Sequence, residues 1–404
     1  MTIPIDPIAV LSPTGQVPTA SNPVSAPLHH RTPLYLSPTL SARTGHNIYL
    51  KLDCDQPSGS FKIRGIGKIC QSAILKNGAS NTHLISSSGG NAGLAVAYAA
   101  SRAGVGCTIC VPTSTEADVV EKLRDNGAKV VVGGDSWDQA NGAALRLVEE
   151  MEGAVYVHPF EGDELVAGHS GLVDEVYEQF QQAQKEGEGE VDVLISSVGG
   201  GGLIRGIIQG VTKNTTSSTQ APVLVAVQNF GVDSFNRSFD QFLSSPSSSL
   251  PKDVVILQAI ESKCTSMGTK KCSLTTLHDA IRFHSSSPDQ EIVTLTVTDN
   301  LSASACWQFS KLPDVEERMV ELSCASALTP VLHPWILESV LQSSKVLQGK
   351  MEREGGRKKL NVVVEVCGGS KVNKGLLEEY ETGTGIMEKR DRIRVNGIDF
   401  PLSA

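Results

Sequence analysis

Lys62 follows Ser58-Gly59-Ser60-Phe61 and precedes Ile63-Arg64 at the start of a segment with helical spacing. In the first turn of a helix, the positive end of the dipole disfavours an ammonium and pulls the amine towards its nucleophilic neutral form. Taken by itself, a solvated lysine is the commoner occupant of a helix start, and Phe61 reads as core. A second stretch, Val198-Gly199-Gly200-Gly201-Gly202-Leu203, comes directly after a strand-like run ending near Ser197. Four successive glycines cost conformational entropy. In return, their backbone N–H groups can converge on an anion, and the helix starting at Leu203 adds its positive end. That chemistry is phosphate binding. No Gly-Lys-Ser/Thr follows and the Gly-x-Gly-x-x-Gly spacing is not met, which excludes a nucleotide P-loop and the dinucleotide fingerprint. A flexible turn is the plainer alternative.

Two further stretches sit where strand-like runs end. Ser86-Ser87-Ser88-Gly89-Gly90-Asn91-Ala92-Gly93 offers hydroxyls, open N–H groups and an amide at a helix N-terminus, which suits a carboxylate. Ser and Asn are equally ordinary helix caps. Val364-Glu365-Val366-Cys367-Gly368-Gly369-Ser370 ends a late strand in a small polarizable residue and two glycines. A lone cysteine there is usually a buried one.

These stretches need a scaffold, and short apolar runs alternate with helix-like segments to supply it. The strand-like runs are Ile48 to Leu52, His83 to Ser86, Cys107 to Val111, Lys129 to Val132 and Val155 to His158, then Val191 to Ser196, Val223 to Val227, Ile292 to Val297 and Asn361 to Val366. Several are rich in Val and Ile without polar alternation, as in strands buried on both faces. Helical spacing marks Ala92 to Arg102, Glu116 to Asn126 and Trp137 to Glu150. The alternation predicts an α/β fold with parallel sheets. Ligands in such folds bind at the carboxyl ends of strands.

Across 404 residues the net charge is -9 and no basic run with interleaved aromatics occurs, so a nucleic-acid partner is not expected. No apolar run reaches the roughly 20 residues of a membrane span. The first basic residue is Arg31, and nine cysteines, an odd number, are spread along the chain. Reduced thiols and a cytoplasmic protein are the expectation. Cys107 and Cys110 have redox or zinc spacing, but in a strand residues three apart face opposite sides.

Together the four stretches resemble the fold-type-II pyridoxal-phosphate enzymes, most closely the serine/threonine dehydratases, from about Thr32 to Leu377 and in the family's order. The resemblance implies two open twisted α/β domains with mainly parallel sheets, similar to the tryptophan synthase β fold. The expected boundaries are a loose N-terminal arm over 1–31, a large cofactor-binding domain from 32–55 and 168–385, a small domain over 56–167 and a C-terminal tail over 386–404. It implies Lys62 as the Schiff-base lysine, with Phe61 on one face of the cofactor ring. Gly199, Gly200, Gly201, Gly202 and Leu203 would hold the phosphate, Asn91 the ring O3′, and Cys367 the pyridine nitrogen. Ser88, Gly89, Asn91 and Ala92 would surround the substrate carboxylate.

The implied reaction is β-elimination of L-serine, and of L-threonine, to a keto acid and ammonia by a homodimer. Cysteine synthase-type β-replacement, serine racemisation and cofactor binding without catalysis are the alternatives, and the intact Lys62 opposes the last. Two positions depart from the family pattern. Gln228 stands where a glutamate often helps to bind a monovalent cation such as potassium, and Leu322-Ser323-Cys324 replaces Pro-Ala-Cys.

Overall fold

The computed structural model describes residues 26–183, 189–216, 219–245, 249–353, 359–384 and 391–401. Its twelve strands are β1 (Leu34–Leu36), β2 (Asn47–Lys51), β3 (His83–Ser86), β4 (Gly106–Val111), β5 (Lys129–Val132), β6 (Ala154–Tyr156), β7 (Val193–Ser197), β8 (Val223–Asn229), β9 (Ile292–Val297), β10 (Asn361–Glu365), β11 (Arg392–Val395) and β12 (Ile398–Pro401). They form two sheets. The smaller has the order β5-β4-β3-β6 and is parallel throughout. The larger has the order β1-β2-β10-β7-β8-β9-β11-β12 and is parallel from β2 to β9.

Burial explains the composition of the strands. Every residue of β7, β8, β9 and β10 is buried. Such strands carry helices on both faces and have no wet side to mark with polar residues. Cys107 packs in the core that contains Ile63, Leu84 and Val96, whereas Cys110 packs with Ile85 and Ala144 in a different cluster. The two thiols lie on opposite faces of β4, and all nine cysteines are free.

The described residues towards each end of the chain are built into the fold more closely than the sequence suggests. Leu28 is buried in the core of the smaller layer, and His30 N–H donates to the Gln56 side chain at 2.9 Å. Residues 26–31 of the expected loose arm are therefore docked, while 1–25 lie outside the described residues. Within the expected tail, β11 pairs antiparallel with β9 and with β12, extending the large sheet by a hairpin. The turn is Asn396-Gly397, with φ of 48° and 79°. Positive φ at both central residues matches the twist of a two-residue hairpin, and Asn-Gly accepts it most readily.

Candidate active site

The Lys62 helix, Lys62–Asn77, starts at the lysine itself, with Phe61 as its cap residue. A buried ionic cluster anchors its first turn. The Arg64 guanidinium binds Asp53 through Nε at 2.6 Å and Nη2 at 2.7 Å, and Glu175 through Nη1 at 2.8 Å. Lys51 of β2 reaches the same Glu175 at 2.5 Å. These bonds tie the helix to the large sheet two residues beyond Lys62. The fork of Arg64 makes that tie directional.

Lys62 Nζ donates to the Pro159 carbonyl at 3.0 Å and lies 5.2 Å from the Phe61 ring centroid. Burial pulls its amine down to about 8, against weaker opposing pulls from Cys367 and Glu321. Loss of water around the ammonium works in the same direction as the helix dipole invoked from sequence. The Phe61 ring packs on buried His169, 5.2 Å between centroids.

The glycine loop links β7 to the helix Gly202–Asn214. Gly201 has φ +108, and a Cβ there would lie 2.1 Å from Thr276 Oγ1. At Gly200 a Cβ would lie 2.5 Å from the Phe160 ring, and at Gly202 it would lie 2.7 Å from Leu165. The loop is a tight, side-chain-free turn at a helix N-terminus, as an anion cradle requires. Thr276, whose buried hydroxyl has no partner among the described residues, and Phe160 carry no sequence signal of their own.

Hydrogen bonds knit the four stretches together. Phe61 N–H donates to the Cys367 carbonyl at 3.0 Å, and Gly369 N–H to the Gly59 carbonyl at 2.8 Å. The Cys367 sulfur lies 3.3 Å from the hydroxyl of Ser197, the residue that ends β7 ahead of the glycine loop. Asn91 Oδ1 accepts from Ser370 N–H and from its hydroxyl, both at 3.0 Å. Asn91 Nδ2 donates to Glu321 at 2.9 Å, so one amide hydrogen remains for a ligand. The helix Asn91–Ala103 has no side-chain cap on its first N–H groups. Ser88 Oγ accepts from Gly90 N–H at 3.3 Å, and Ala92 is buried beside it. A Cβ on Gly89 would meet Thr115 and Val111 at 3.1 Å, close enough to tighten this turn.

These features fit pyridoxal phosphate: an amine of lowered basicity, a bare glycine cradle and a thiol at the third strand end. A cation at Gln228 fits less well. Gln228 Nε2 donates to the carbonyls of Val198 at 2.8 Å and Val232 at 2.9 Å, while Oε1 accepts from Asn236 N–H at 2.9 Å. Two acceptors at one end and a donor at the other allow a single amide orientation. It turns nitrogen, not oxygen, towards those two carbonyls.

Glu365 carries no sequence signal beyond its place in a strand. It is wholly buried in β10, and neither carboxyl oxygen has a partner among the described residues. Burial first, then Asp53 and Cys367, pushes it well above the usual carboxylate range. The folded chain thus keeps a proton that the unfolded chain loses above about pH 4.3, and stability falls as pH rises from there. Glu365→Leu is expected to raise stability near neutral pH by about 1–3 kcal/mol and to flatten that decline. Thermal melts of both proteins across the pH range check it; a destabilised, equally pH-dependent variant would show that Glu365 has a partner.

Known proteins share this plan. The L-serine dehydratase of Dictyostelium discoideum is 33% identical over 92% of this chain and 93% of its own. The human L-serine dehydratase/L-threonine deaminase is 34% identical over 90% of this chain and 98% of its own. A fungal L-serine ammonia-lyase from Rhizomucor miehei superposes with a TM-score of 0.71 at 28% identity, over 88% of this chain and 98% of that one. The family profile described as pyridoxal-phosphate dependent enzyme matches residues 26–331. With its lysine, cradle and thiol converging at one set of strand ends, the chain belongs to the pyridoxal-phosphate dependent enzyme family.

Proposed function

We propose that this protein eliminates water from L-serine, and likewise from L-threonine, and that hydrolysis of the released enamine takes up one water again, giving ammonia and pyruvate or 2-oxobutyrate. The observation that carries the reading is Lys62, buried with its amine lowered to about 8 and stitched through Phe61 to Cys367. Relatives named for this reaction match nearly the whole chain. Lys62, the 199–202 loop, Asn91 and Cys367 would hold pyridoxal phosphate, which when bound would supply an electron sink for the bond to the substrate α-hydrogen. The protein does the rest. Its Ser88–Ala92 turn and open helix N-terminus take the substrate carboxylate. Lys62, neutral in a useful fraction near pH 7, takes the α-proton. Cys367 is a weak hydrogen-bonding partner, where an aspartate would hold a proton on the ring and favour transamination.

Borohydride reduction of the loaded enzyme should fix the cofactor on the peptide containing Lys62, and L-serine should yield keto acid and ammonia in equal amounts. Label on another lysine sinks the assignment. D-serine as main product, or a thioether product from O-acetylserine and sulfide in preference to elimination, would instead favour the racemase or the β-replacement enzyme. Nine unpaired thiols favour a reducing compartment, the cytoplasm. Among the described residues no helix is long and apolar enough to cross a membrane.

The reaction here needs no monovalent cation, because the Gln228 amide already occupies the carbonyls of Val198 and Val232. Replacing potassium by a large organic cation should change wild-type activity less than about twofold, whereas Gln228→Glu should gain at least tenfold potassium activation. The reason is that a buried unpaired carboxylate costs about 3–5 kcal/mol until a cation joins it. Strong potassium activation of the wild type would contradict this.

A further inference from the structure

One carboxylate pins the irregular stretch 260–268, which lies in neither sheet. Ser262 Oγ donates to Asp299 Oδ1 at 2.6 Å, and Lys263 N–H donates to Asp299 Oδ2 at 2.6 Å. Ser262 Oγ accepts the Cys264 N–H at 3.0 Å, which leaves its own hydrogen for the carboxylate. Asp299 begins the helix Asp299–Ser310 and is itself held from β8, because Asn229 Nδ2 donates to it at 2.9 Å. Asn229 is wholly buried and cannot turn: its Nδ2 also donates to Ser302, and its Oδ1 accepts from Ser326.

Beyond this pinned turn, the short turn Thr265–Met267 lies against the glycine loop. A Cβ on Gly199 would lie 3.2 Å from Met267 Cα and 3.7 Å from the Ser266 carbonyl oxygen. Cys264 and Met267 pack with Val232, Ala303 and Leu322 in a small cluster apart from the main core. On the outer side, Thr265 Oγ1 accepts from Lys371 Nζ at 2.8 Å. Lys371 directly follows Ser370, the residue bonded to Asn91.

We infer that residues 260–268 form a strap that walls one side of the phosphate cradle, and that Asp299 is the positioning residue that sets how tightly the phosphate is gripped. The inference rests on the reading that the 199–202 loop holds the phosphate of pyridoxal phosphate. Backbone N–H groups grip an anion only while the loop keeps its aim. Gly199 has no side chain to brace it, and the backbone of 266–267 is what it leans on. The strap buries little apolar surface, so its polar ties fix its place. Hydrogen bonds to a carboxylate are roughly twice as strong as those between neutral groups, and the strap spends two on Asp299.

The test uses full-length wild type, Asp299→Asn and Ser262→Ala, each titrated with pyridoxal phosphate and with pyridoxal, which lacks the phosphate. Dissociation constants come from the visible absorbance of the bound aldehyde, and melting temperatures of the cofactor-free proteins are measured beside them. In Asp299→Asn an NH₂ group faces donors where an oxygen faced them, and at least one bond to a charge is lost. Affinity for pyridoxal phosphate should then fall about tenfold or more, while affinity for pyridoxal stays within about twofold. Ser262→Ala should move the same ratio by a smaller factor. Equal losses for both aldehydes, or a lower melting temperature with both affinities unmoved, would show that Asp299 only supports the fold, and either result overturns the inference. If Asp299→Asn does not fold, Ser262→Ala carries the same comparison, and an unmoved ratio there counts against the strap. A wild type that binds neither aldehyde is a different failure, since it removes the cofactor reading itself.

Discussion

Lys62→Ala is expected to abolish turnover and leave a folded protein. Two contributions vanish together: the covalent hold on the cofactor and the base for the α-proton. General base catalysis alone is worth about 10²- to 10⁴-fold, so any residual rate should lie at least about 100-fold below the wild type. Folding should survive, because Lys62 makes one hydrogen bond, to the Pro159 carbonyl, while Arg64, Asp53 and Glu175 hold the first turn of the helix without it.

The sign of the stability change follows from the lowered amine. A lysine at about 8 in the fold and near 10.4 unfolded loses its proton earlier in the folded state, so stability rises with pH between those values. Below about 8 the wild type carries the whole penalty, which the alanine variant escapes at the cost of some stem packing. The cofactor-free variant should therefore melt at or slightly above the cofactor-free wild type near neutral pH. The comparison must be made without cofactor, since a ligand that binds only the fold raises its stability by mass action. The same amine predicts that elimination rises with pH and levels off above about 8. A variant that keeps its rate would place the chemistry on another group.

Much of this site was legible because its parts are backbone devices. The Gly199–Gly202 run, the glycines after Cys367 and the strand ends that carry them are visible one segment at a time. Val-rich runs without polar alternation marked the fully buried strands. The contacts that hold the parts together were not visible, because each joins residues far apart in the chain. Asn91 meets Glu321 and Ser370, Lys62 meets Pro159, and Gly200 meets Phe160. Gln228 shows the same limit from the other side. Its type suggested an oxygen ligand, and only the positions of Val198, Val232 and Asn236 decide which end of the amide points where. The closing hairpin is a different case. Val395-Asn396-Gly397-Ile398 carries a hairpin signal in its own sequence, outside the segment that resembles the family.

Gly201→Val should weaken cofactor binding at least about 100-fold while the fraction that still binds turns over nearly as before. Gly201 has φ +108, a conformation β-branched residues all but refuse, and holding one there costs about 1–3 kcal/mol. Its Cβ would also lie 2.1 Å from Thr276 Oγ1 and 2.5 Å from Cγ2, overpacking worth a further 1–3 kcal/mol or so. Domains of this kind hold about 5–15 kcal/mol, so the variant should melt lower yet still fold. What it should lose is the aim of the loop. A hydrogen bond to a charged group is worth about 1.5–3 kcal/mol, and displacing one or two N–H groups from the phosphate accounts for the expected loss of affinity.

The chemistry is spared because Lys62 and Cys367 sit on other segments, joined to each other by the Phe61 N–H bond rather than through Gly201. Gly201→Ala, alone and with Thr276→Gly, separates the two causes. Removing the threonine side chain clears the space, so the double variant should recover most of the affinity lost by the single one and keep only the backbone strain. Cofactor dissociation constants and melting temperatures of all four proteins, measured alongside turnover of the loaded fraction, check the expectation. Unchanged cofactor affinity in Gly201→Val would place the phosphate away from the glycine loop, and with it the whole orientation of the site.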